Sequence, residues 1–315
     1  MQLRSYQQEA LCGLWHFWKS RPQEHPLIVA PTGSGKSFII AAIVRQGLSL
    51  KKDFRCLILT HRKELIEQNA KELQKICPDM PIGIYSAGLG MKQVRAVTYA
   101  GIQSIFKKAQ QIEPPHLIVI DECHLLSRKP QSMYQKFLQA MMAKNYKMKI
   151  CGLTATPYRM DTGSLIGPHE IFSDICFDIS VARLIEEGFL CPLVSKATKS
   201  QVDYSGVTIR NGDFAQDQLD GVFGHEELVK NHCAEILQYG QGRKSWLIFC
   251  SSISHAQKVA QALQKGGVSV ECVHSGLLDM ERDRLINRFK RKEIKALTNC
   301  NLLTTGFNFP ELDMV

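Results

Sequence analysis

The sequence has no long apolar run and no paired-cysteine motif, although it contains eleven cysteines. No apolar stretch approaches the ~20 residues that a membrane-spanning helix needs, and the first residues carry no secretory signal. No two cysteines have the C-x-x-C spacing of zinc or redox sites, so we expect reduced, mostly buried thiols. These absences argue against membrane contact and predict a cytoplasmic protein.

Acidic residues are also in the minority. The chain has 39 Lys and Arg against 30 Asp and Glu, which gives a net charge of +9. Such a balance fits a polyanionic partner, bound through phosphate contacts and release of counterions. The length of 315 residues, with 44% hydrophobic and 22% charged residues, predicts a globular protein of about two domains.

The segment Leu27–Ser37, LIVAPTGSGKS, is an apolar run that breaks into a glycine-rich turn. It predicts a buried strand, a phosphate-binding loop and the start of a helix, with Ala30 where the usual pattern begins with Gly. Lys36 is expected to reach the β- and γ-phosphates of ATP, and the Ser37 hydroxyl to hold Mg²⁺. The predicted nucleotide contacts of this loop are Pro31, Thr32, Gly33, Ser34, Gly35, Lys36 and Ser37.

A second segment, His116–His124, delivers two consecutive carboxylates to the end of an apolar strand. Asp121 is predicted to hold Mg²⁺, whereas Glu122 orients and deprotonates the attacking water. An acidic turn after a buried strand is the alternative for this segment alone. Its presence in one chain with the phosphate loop favours the catalytic interpretation.

An amphipathic helix is predicted near the amino terminus, because apolar residues between Ala10 and Trp18 recur at helical spacing. Gln7 stands just ahead of it. A side-chain amide can accept from N6 of adenine and donate to N7, which makes Gln7 a candidate adenine contact. A core helix with polar flanks is the alternative.

Polar clusters also follow two other predicted strands. His61, Arg62 and Lys63 follow the apolar run Arg55–Thr60, and at the carboxyl end of a strand they suit either phosphate contact or a solvated helix start. A further strand ends in Thr154-Ala155-Thr156-Pro157, which alone is an ordinary strand exit.

Five apolar strands alternate with helical patterns up to this point, which predicts an α/β fold with a parallel, doubly wound sheet. This alternation is absent from about residue 166 to 241, a segment predicted to be a connector or insertion with short helices. The alternation resumes from residue 242. The predicted division is therefore a first domain over 1–165, a connector over 166–241, and an incomplete second domain over 242–315.

Taken together, these residues resemble the superfamily 2 helicases of the DEAH/DECH-box branch, which includes RadD-like DNA-repair helicases and restriction-type motors. The resemblance covers nearly the whole chain except the connector. In chain order it rests on the segments LRSYQ, APTGSGKS, THRKELIEQ, TYAGIQS, DECH, TATP, LIFCSSISHAQ, VHSGL and NLLTTGFNFPELD.

The resemblance implies tandem RecA-like domains, with ATP in the cleft between them and a nucleic-acid strand running across both. It adds Arg4 to the adenine contacts and His124 to the catalytic residues, with Thr154 and Thr156 coupling the nucleotide state to domain closure. The residues implied to contact nucleic acid are His61, Arg62, Gln103 and Thr305. Those implied to contact the nucleotide from the second domain are Gly306 and Asn308. Asn308 stands where relatives carry Asp.

The function implied is nucleic-acid-stimulated ATP hydrolysis by a DNA helicase or translocase in repair. Its expected ligands are ATP, Mg²⁺ and single-stranded or branched DNA, with other repair proteins as further partners. The alternatives are an RNA helicase, a restriction-system motor subunit, or a shortened module that binds ATP and DNA without turnover. Because the sequence ends at Val315, before the arginine-rich motif VI of the family, slow hydrolysis is expected of this chain.

Overall fold

The structure is a computed structural model that describes most of the chain in two compact units, Met1–Leu193 and Val194–Val315. The described residues are 3–61, 63–129, 131–159, 163–199, 202–203, 205–210, 213–214, 216–300, 302–303, 307 and 309–315. No helix within these ranges is both long enough and apolar enough to cross a membrane.

The first unit is built on a mostly parallel sheet. In chain order its strands are β1 (Pro26–Val29), β2 (Cys56–Thr60), β3 (Ile82–Ser86), β4 (Met91–Lys92), β5 (Val97–Gly101), β6 (Leu117–Asp121), β7 (Lys149–Thr154), β8 (Tyr158–Arg159), β9 (Gly163–Ser164) and β10 (Asp174–Asp178). β8 and β9 form a separate short hairpin. The strand order across the sheet is β10-β1-β7-β6-β2-β5-β3-β4, and within it only β4 pairs antiparallel among the described residues. The α/β fold with a parallel sheet is therefore confirmed.

Helices cover this sheet and bury its apolar strands. They are α1 (Ser5–Ser20), α2 (Lys36–Leu50), α3 (Lys63–Ile76), α4 (Ile102–Ile105), α5 (Met133–Lys144) and α6 (Val181–Glu186), with 3-10 turns at Ala87–Leu89, Phe106–Lys108 and Cys123–Leu125. Strands β1, β2, β5 and β6 are buried along their whole length, as continuous apolar runs between helical layers should be.

The sheet order brings three strand ends together. β7 lies between β1 and β6, with Val29 opposite Thr154 and Asp121 opposite Leu153. The loop after β1, the carboxylates after β6 and the threonines after β7 therefore share one edge of the sheet, which is where open α/β sheets bind ligands.

The second unit carries a smaller parallel sheet. Its elements are β11 (Ile209–Arg210), β12 (Asp213–Phe214), α7 (Gln216–Phe223), α8 (Glu226–Tyr239), β13 (Trp246–Phe249), α9 (Ile253–Lys265), β14 (Val270–Val273), α10 (Asp279–Lys290) and β15 (Ala296–Asn299). The described strands are ordered β13-β15-β14, with Ala296 opposite both Trp246 and Val270. This strand–helix alternation is the one predicted from residue 242 onward.

One stretch differs from the prediction made from the sequence. β10 lies in the predicted connector yet adds a strand beside β1. The short helix α6 follows it and is capped by Ser180, whose side chain accepts from Arg183 N at 3.1 Å. β5 begins only at Val97, where the Thr98 hydroxyl bonds both backbone groups of Arg95. The three-part domain division stays a prediction.

Candidate nucleotide site

The loop after β1 has the backbone that a phosphate cradle requires. Gly33 and Gly35 have φ of +84° and +76°, in the left-handed region that favours glycine. A Cβ at Gly35 would lie 2.9 Å from Gln7 Nε2, and one at Gly33 would lie 2.8 Å from Leu190 Cδ2. Helix α2 begins at Lys36, directly after Gly35. Its first N–H groups have no intrahelical acceptor, so they and the helix dipole favour an anion here.

The Lys36 side chain joins the loop to the end of β6. Its Nζ lies 3.1 Å from Glu122 Oε1 and donates to Ala30 O at 3.4 Å. Glu122 adopts φ 51° and ψ 49°, a left-handed conformation that non-glycine residues seldom take. Such a conformation is held by its surroundings and is common at functional sites. The predicted phosphate ligand and the predicted base are thus in contact.

Asp121 is buried beside this pair. Its Oδ2 accepts from Asn69 Nδ2 at 2.9 Å, and its Oδ1 accepts from Glu122 N at 3.1 Å. The pKa of Asp121 is raised to about 6, because burial and, after it, the charge of Glu122 disfavour the carboxylate more than Lys36 and Asn69 stabilise it. At neutral pH this carboxyl is therefore mostly ionised, as a ligand of a cation must be.

Asn69 was missed by the sequence analysis. It lies on α3, between Ile66 and Leu73 on the face that packs against the sheet, and it is almost fully buried. A polar side chain at an apolar position of an amphipathic helix is a signal that could have identified it, because buried amides need hydrogen-bond partners.

The residues present fit Mg²⁺ and a triphosphate. The glycine cradle leaves space that a Cβ would fill, Ser37 follows Lys36 in the first turn of α2, and Asp121 supplies an oxygen ligand of the type Mg²⁺ prefers. Ser37 and Asp121 would hold the ion, and the loop with Lys36 would hold the phosphates.

His124 connects the carboxylate turn to the end of β7. Its Nδ1 lies 2.9 Å from Thr154 Oγ1 and 3.5 Å from Glu122 Oε2. The Thr154 hydroxyl donates to Thr156 O at 3.0 Å, so it accepts from His124, and this geometry assigns the imidazole proton to Nδ1. Burial lowers the pKa of His124, and Glu122 opposes the shift. A neutral imidazole is therefore favoured.

The amino-terminal element, residues 4–7 at the start of α1, is bonded directly to the phosphate loop. Gln7 Oε1 accepts from Arg4 N at 3.1 Å, and Gln7 Nε2 donates to Ser34 O at 3.2 Å. Tyr6, which the sequence analysis did not single out, donates from its hydroxyl to Ser34 O at 2.7 Å. The amide predicted to contact adenine thus lies at the loop, and its contact with a base stays a prediction.

Two of the four predicted nucleic-acid contacts are described. His61 follows β2 and lies against Tyr134, whose hydroxyl is 3.2 Å from His61 Nδ1, and Gln103 is exposed on α4 after β5. β2 and β5 are neighbours, so both residues lie on the same edge of the sheet as the nucleotide residues. Predicted site residues outside the described part of the chain are Arg62, Thr305, Gly306 and Asn308.

Comparison with known proteins gives two family matches. The family described as "Type III restriction enzyme, res subunit" matches residues 1–159, and "Helicase conserved C-terminal domain" matches residues 228–315. The first covers the phosphate loop, the carboxylates and the threonines after β7. The second covers the smaller parallel sheet.

Individual relatives with similar sequences are also named as helicases. "Putative ATP-dependent helicase IRC3" of Saccharomyces cerevisiae is 26% identical over 328 residues, which is 99% of this chain and 46% of the relative. "Putative mitochondrial ATP-dependent helicase irc3" of Schizosaccharomyces pombe is 27% identical, over 99% of this chain and 51% of the relative. The chain therefore spans about half the length of these relatives.

Solved structures support the fold. The type ISP restriction-modification enzyme LlaBIII bound to DNA matches 99% of this chain and 25% of its own, with a TM-score of 0.62 and 16% identity. S. cerevisiae Dbp5 bound to RNA and ADP BeF3 matches 99% of this chain and 73% of its own, with a TM-score of 0.59 and 17% identity. Both likenesses show a RecA-like helicase fold. The chain belongs to the family described as type III restriction enzyme, res subunit, and with its helicase conserved C-terminal domain it is a member of the superfamily 2 helicases.

Proposed function

We propose that the chain is the motor of an ATP-dependent DNA helicase or translocase of the RadD-like, DECH-box branch, acting in DNA repair. One observation carries the proposal. Lys36, Asp121 and Glu122 come from two segments far apart in sequence, yet they converge at one sheet edge, with Lys36 Nζ 3.1 Å from Glu122 Oε1. Phosphoryl transfer to water needs this set: a cation for the phosphates, an acid for Mg²⁺ and a base.

The roles follow from charge and position. Lys36 releases Glu122 when a triphosphate enters and pairs with the phosphate oxygens. Glu122, freed from that ion pair, accepts the proton of the attacking water and orients it. Ser37 and Asp121 would hold Mg²⁺, which would supply positive charge to neutralise the phosphoryl group in transfer. His124, which contacts both residues, then links Thr154 to whether Glu122 is paired with Lys36 or freed from it.

Support for a nucleic-acid partner comes from the net charge of +9 and from the exposed Gln103 at the ligand edge of the sheet. DNA is proposed ahead of RNA because the family match covering the nucleotide site is to a restriction enzyme subunit and LlaBIII is bound to DNA. Dbp5, bound to RNA, supports the RNA-helicase alternative, and LlaBIII equally supports a restriction-system motor. Repair partners and a cytoplasmic location remain sequence-based predictions, and the S. pombe relative is named as mitochondrial.

The experiment that tests the partner class compares activators of ATP hydrolysis. Single-stranded DNA, duplex DNA and RNA of equal length are added separately, and phosphate release is measured for each. The proposal expects DNA to stimulate more than RNA, and expects affinity to fall steeply between low and physiological salt with little dependence on base sequence. Stimulation by RNA alone would favour the alternative. Affinity that is flat across this salt range would contradict backbone binding.

The hydroxyl of Thr154 is expected to transmit nucleic-acid binding to the nucleotide site. Thr154→Val keeps the side-chain shape but removes the acceptor for His124 Nδ1. Coupling energies between sites are typically 1–3 kcal/mol, so stimulation by nucleic acid should fall by about tenfold. The measurement is the ratio of ATPase rates with and without nucleic acid.

Thr98→Val is the matched control, because the Thr98 hydroxyl likewise bonds a nearby backbone N and O, those of Arg95, and Thr98 is not among the predicted site residues. It should keep the stimulation ratio of the wild type. Equal loss in both variants would show that the Thr154 hydroxyl has no special part in coupling.

A further inference from the structure

A turn after α6 is fixed against the amino-terminal element and the phosphate loop. α6 is tied to α1 by Arg183, which donates to both carboxylate oxygens of Glu9 at 2.8 and 3.0 Å. α6 ends at Glu186, and Gly188 in the following turn has a φ of +74°, which favours glycine. Phe189 N and the next N–H both donate to Leu184 O, at 2.8 and 2.9 Å. The backbone of this turn is thus held at both ends.

The side chains of the turn reach residues already placed in the nucleotide site. The Phe189 ring packs edge-on against the Tyr6 ring, with centroids 5.1 Å apart and an interplanar angle of 64°. The Arg4 guanidinium carbon lies 4.8 Å from the centroid of the Phe189 ring. Leu190 faces Gly33, as shown by the 2.8 Å approach to a Cβ built there. The turn therefore lies between the amino-terminal element and the phosphate loop.

Arg4 is held from a second side as well. Its Nη1 lies 3.3 Å from the Tyr6 hydroxyl, which itself donates to Ser34 O at 2.7 Å. Arg4 is otherwise exposed and has a long, flexible side chain. Stacking a guanidinium on an aromatic face removes much of that freedom and leaves its planar group ready to meet another flat, electron-rich ring.

We propose that Phe189 is a positioning residue for the nucleobase, and that it acts by holding Arg4 and Tyr6 in place beside the phosphate loop. The proposal rests on the proposed function, because it assumes that ATP binds at this loop. It concerns the base and not the phosphates: Phe189 touches the element at the start of α1, whereas the phosphate cradle is the start of α2. The segment after α6 thereby becomes part of the nucleotide site, which no sequence motif indicated.

The test compares the affinities of ATP, GTP and inorganic tripolyphosphate, each with Mg²⁺, by equilibrium titration. Phe189→Leu fills much of the same space but has no aromatic face, and Phe189→Tyr keeps the face. Phe177→Ala is the matched control, because Phe177 is a half-buried phenylalanine packed on the same hydrophobic cluster. Thermal unfolding of each variant reports whether the fold is kept.

Phe189→Leu should weaken ATP binding by about tenfold and reduce the preference for ATP over GTP, with tripolyphosphate affinity unchanged. Phe189→Tyr and Phe177→Ala should bind all three ligands as the wild type does. In an Arg4→Ala background, Phe189→Leu should have little further effect, because the two residues act as one unit.

Two results would overturn the assignment: equal weakening of ATP and tripolyphosphate by Phe189→Leu, or wild-type ATP affinity in that variant. Failure of the wild-type chain to bind ATP at all would instead remove the proposed function. The two failures are therefore separate observations in one experiment.

Discussion

Glu122→Gln is expected to lower the rate of ATP hydrolysis by about 10²- to 10⁴-fold while ATP affinity is kept or rises slightly. The amide cannot accept the proton of the attacking water, which removes the chemical step. Affinity is preserved because Glu122 is not a phosphate ligand but an ion-pair partner of Lys36, with Nζ and Oε1 3.1 Å apart. Without the carboxylate, no charge competes with the phosphates for Lys36. The measurements are the dissociation constant of ATP and the steady-state rate.

Lys36→Ala is the companion variant and should behave differently. Removing the ammonium group takes away a phosphate ligand and also leaves Glu122 without its cation, so both ATP affinity and hydrolysis should fall. Equal loss of ATP binding in Lys36→Ala and Glu122→Gln would contradict the separate roles assigned to these residues.

Asp121→Asn is expected to lower the rate of ATP hydrolysis strongly and yet stabilise the folded protein. Asp121 is buried, and its pKa is raised to about 6, chiefly because burial disfavours the carboxylate. One pKa unit corresponds to about 1.36 kcal/mol, so removing the charge should raise the free energy of unfolding by about 1–3 kcal/mol at pH 7.5. Asn keeps an oxygen that can accept from Asn69 Nδ2. Hydrolysis should fall by about 10²- to 10³-fold, since support for Mg²⁺ is lost.

The pH dependence checks the cause of this stabilisation. The folded-state pKa of Asp121 lies above the unfolded value near 3.8, so the folded wild type binds the proton first as pH falls. The wild type therefore gains stability from this group below about pH 6, and the advantage of Asp121→Asn should shrink between pH 7.5 and 5. Denaturant unfolding at several pH values measures it. A variant less stable than the wild type at pH 7.5 would show that the folded chain stabilises the charged form.

Most of the first sheet could be predicted because its central strands are continuous apolar runs. Leu117–Asp121 and Lys149–Thr154 are buried between helical layers, and their composition alone marks them as strands. β10 could not be predicted in the same way. Its residues, Asp174–Asp178, lie at the sheet edge and are mostly half-buried, and their apolar run covers only residues 175–177. Pairing with β1 places them in the sheet.

The site likewise contains residues that the sequence predicts and residues that it does not. The phosphate loop and the Asp121-Glu122 pair were predictable because a local segment carries both the strand and the chemistry. Asn69, Tyr6 and Phe189 were not, because each acts through a contact with a residue far away in the sequence. Their positions follow from how helices and turns pack on the sheet, which local patterns do not encode.

The central claim is that one edge of the first sheet binds Mg²⁺ and ATP and hydrolyses the nucleotide through Glu122. The most direct test is a single-turnover experiment, with protein in excess over ATP, because it detects hydrolysis even when turnover is slow. The bound nucleotide is identified after a fixed time in the wild type and in Glu122→Gln. We expect ADP on the wild type and intact ATP, bound with at least equal affinity, on the variant. Conversion of ATP to ADP at equal rates by the two proteins would contradict it.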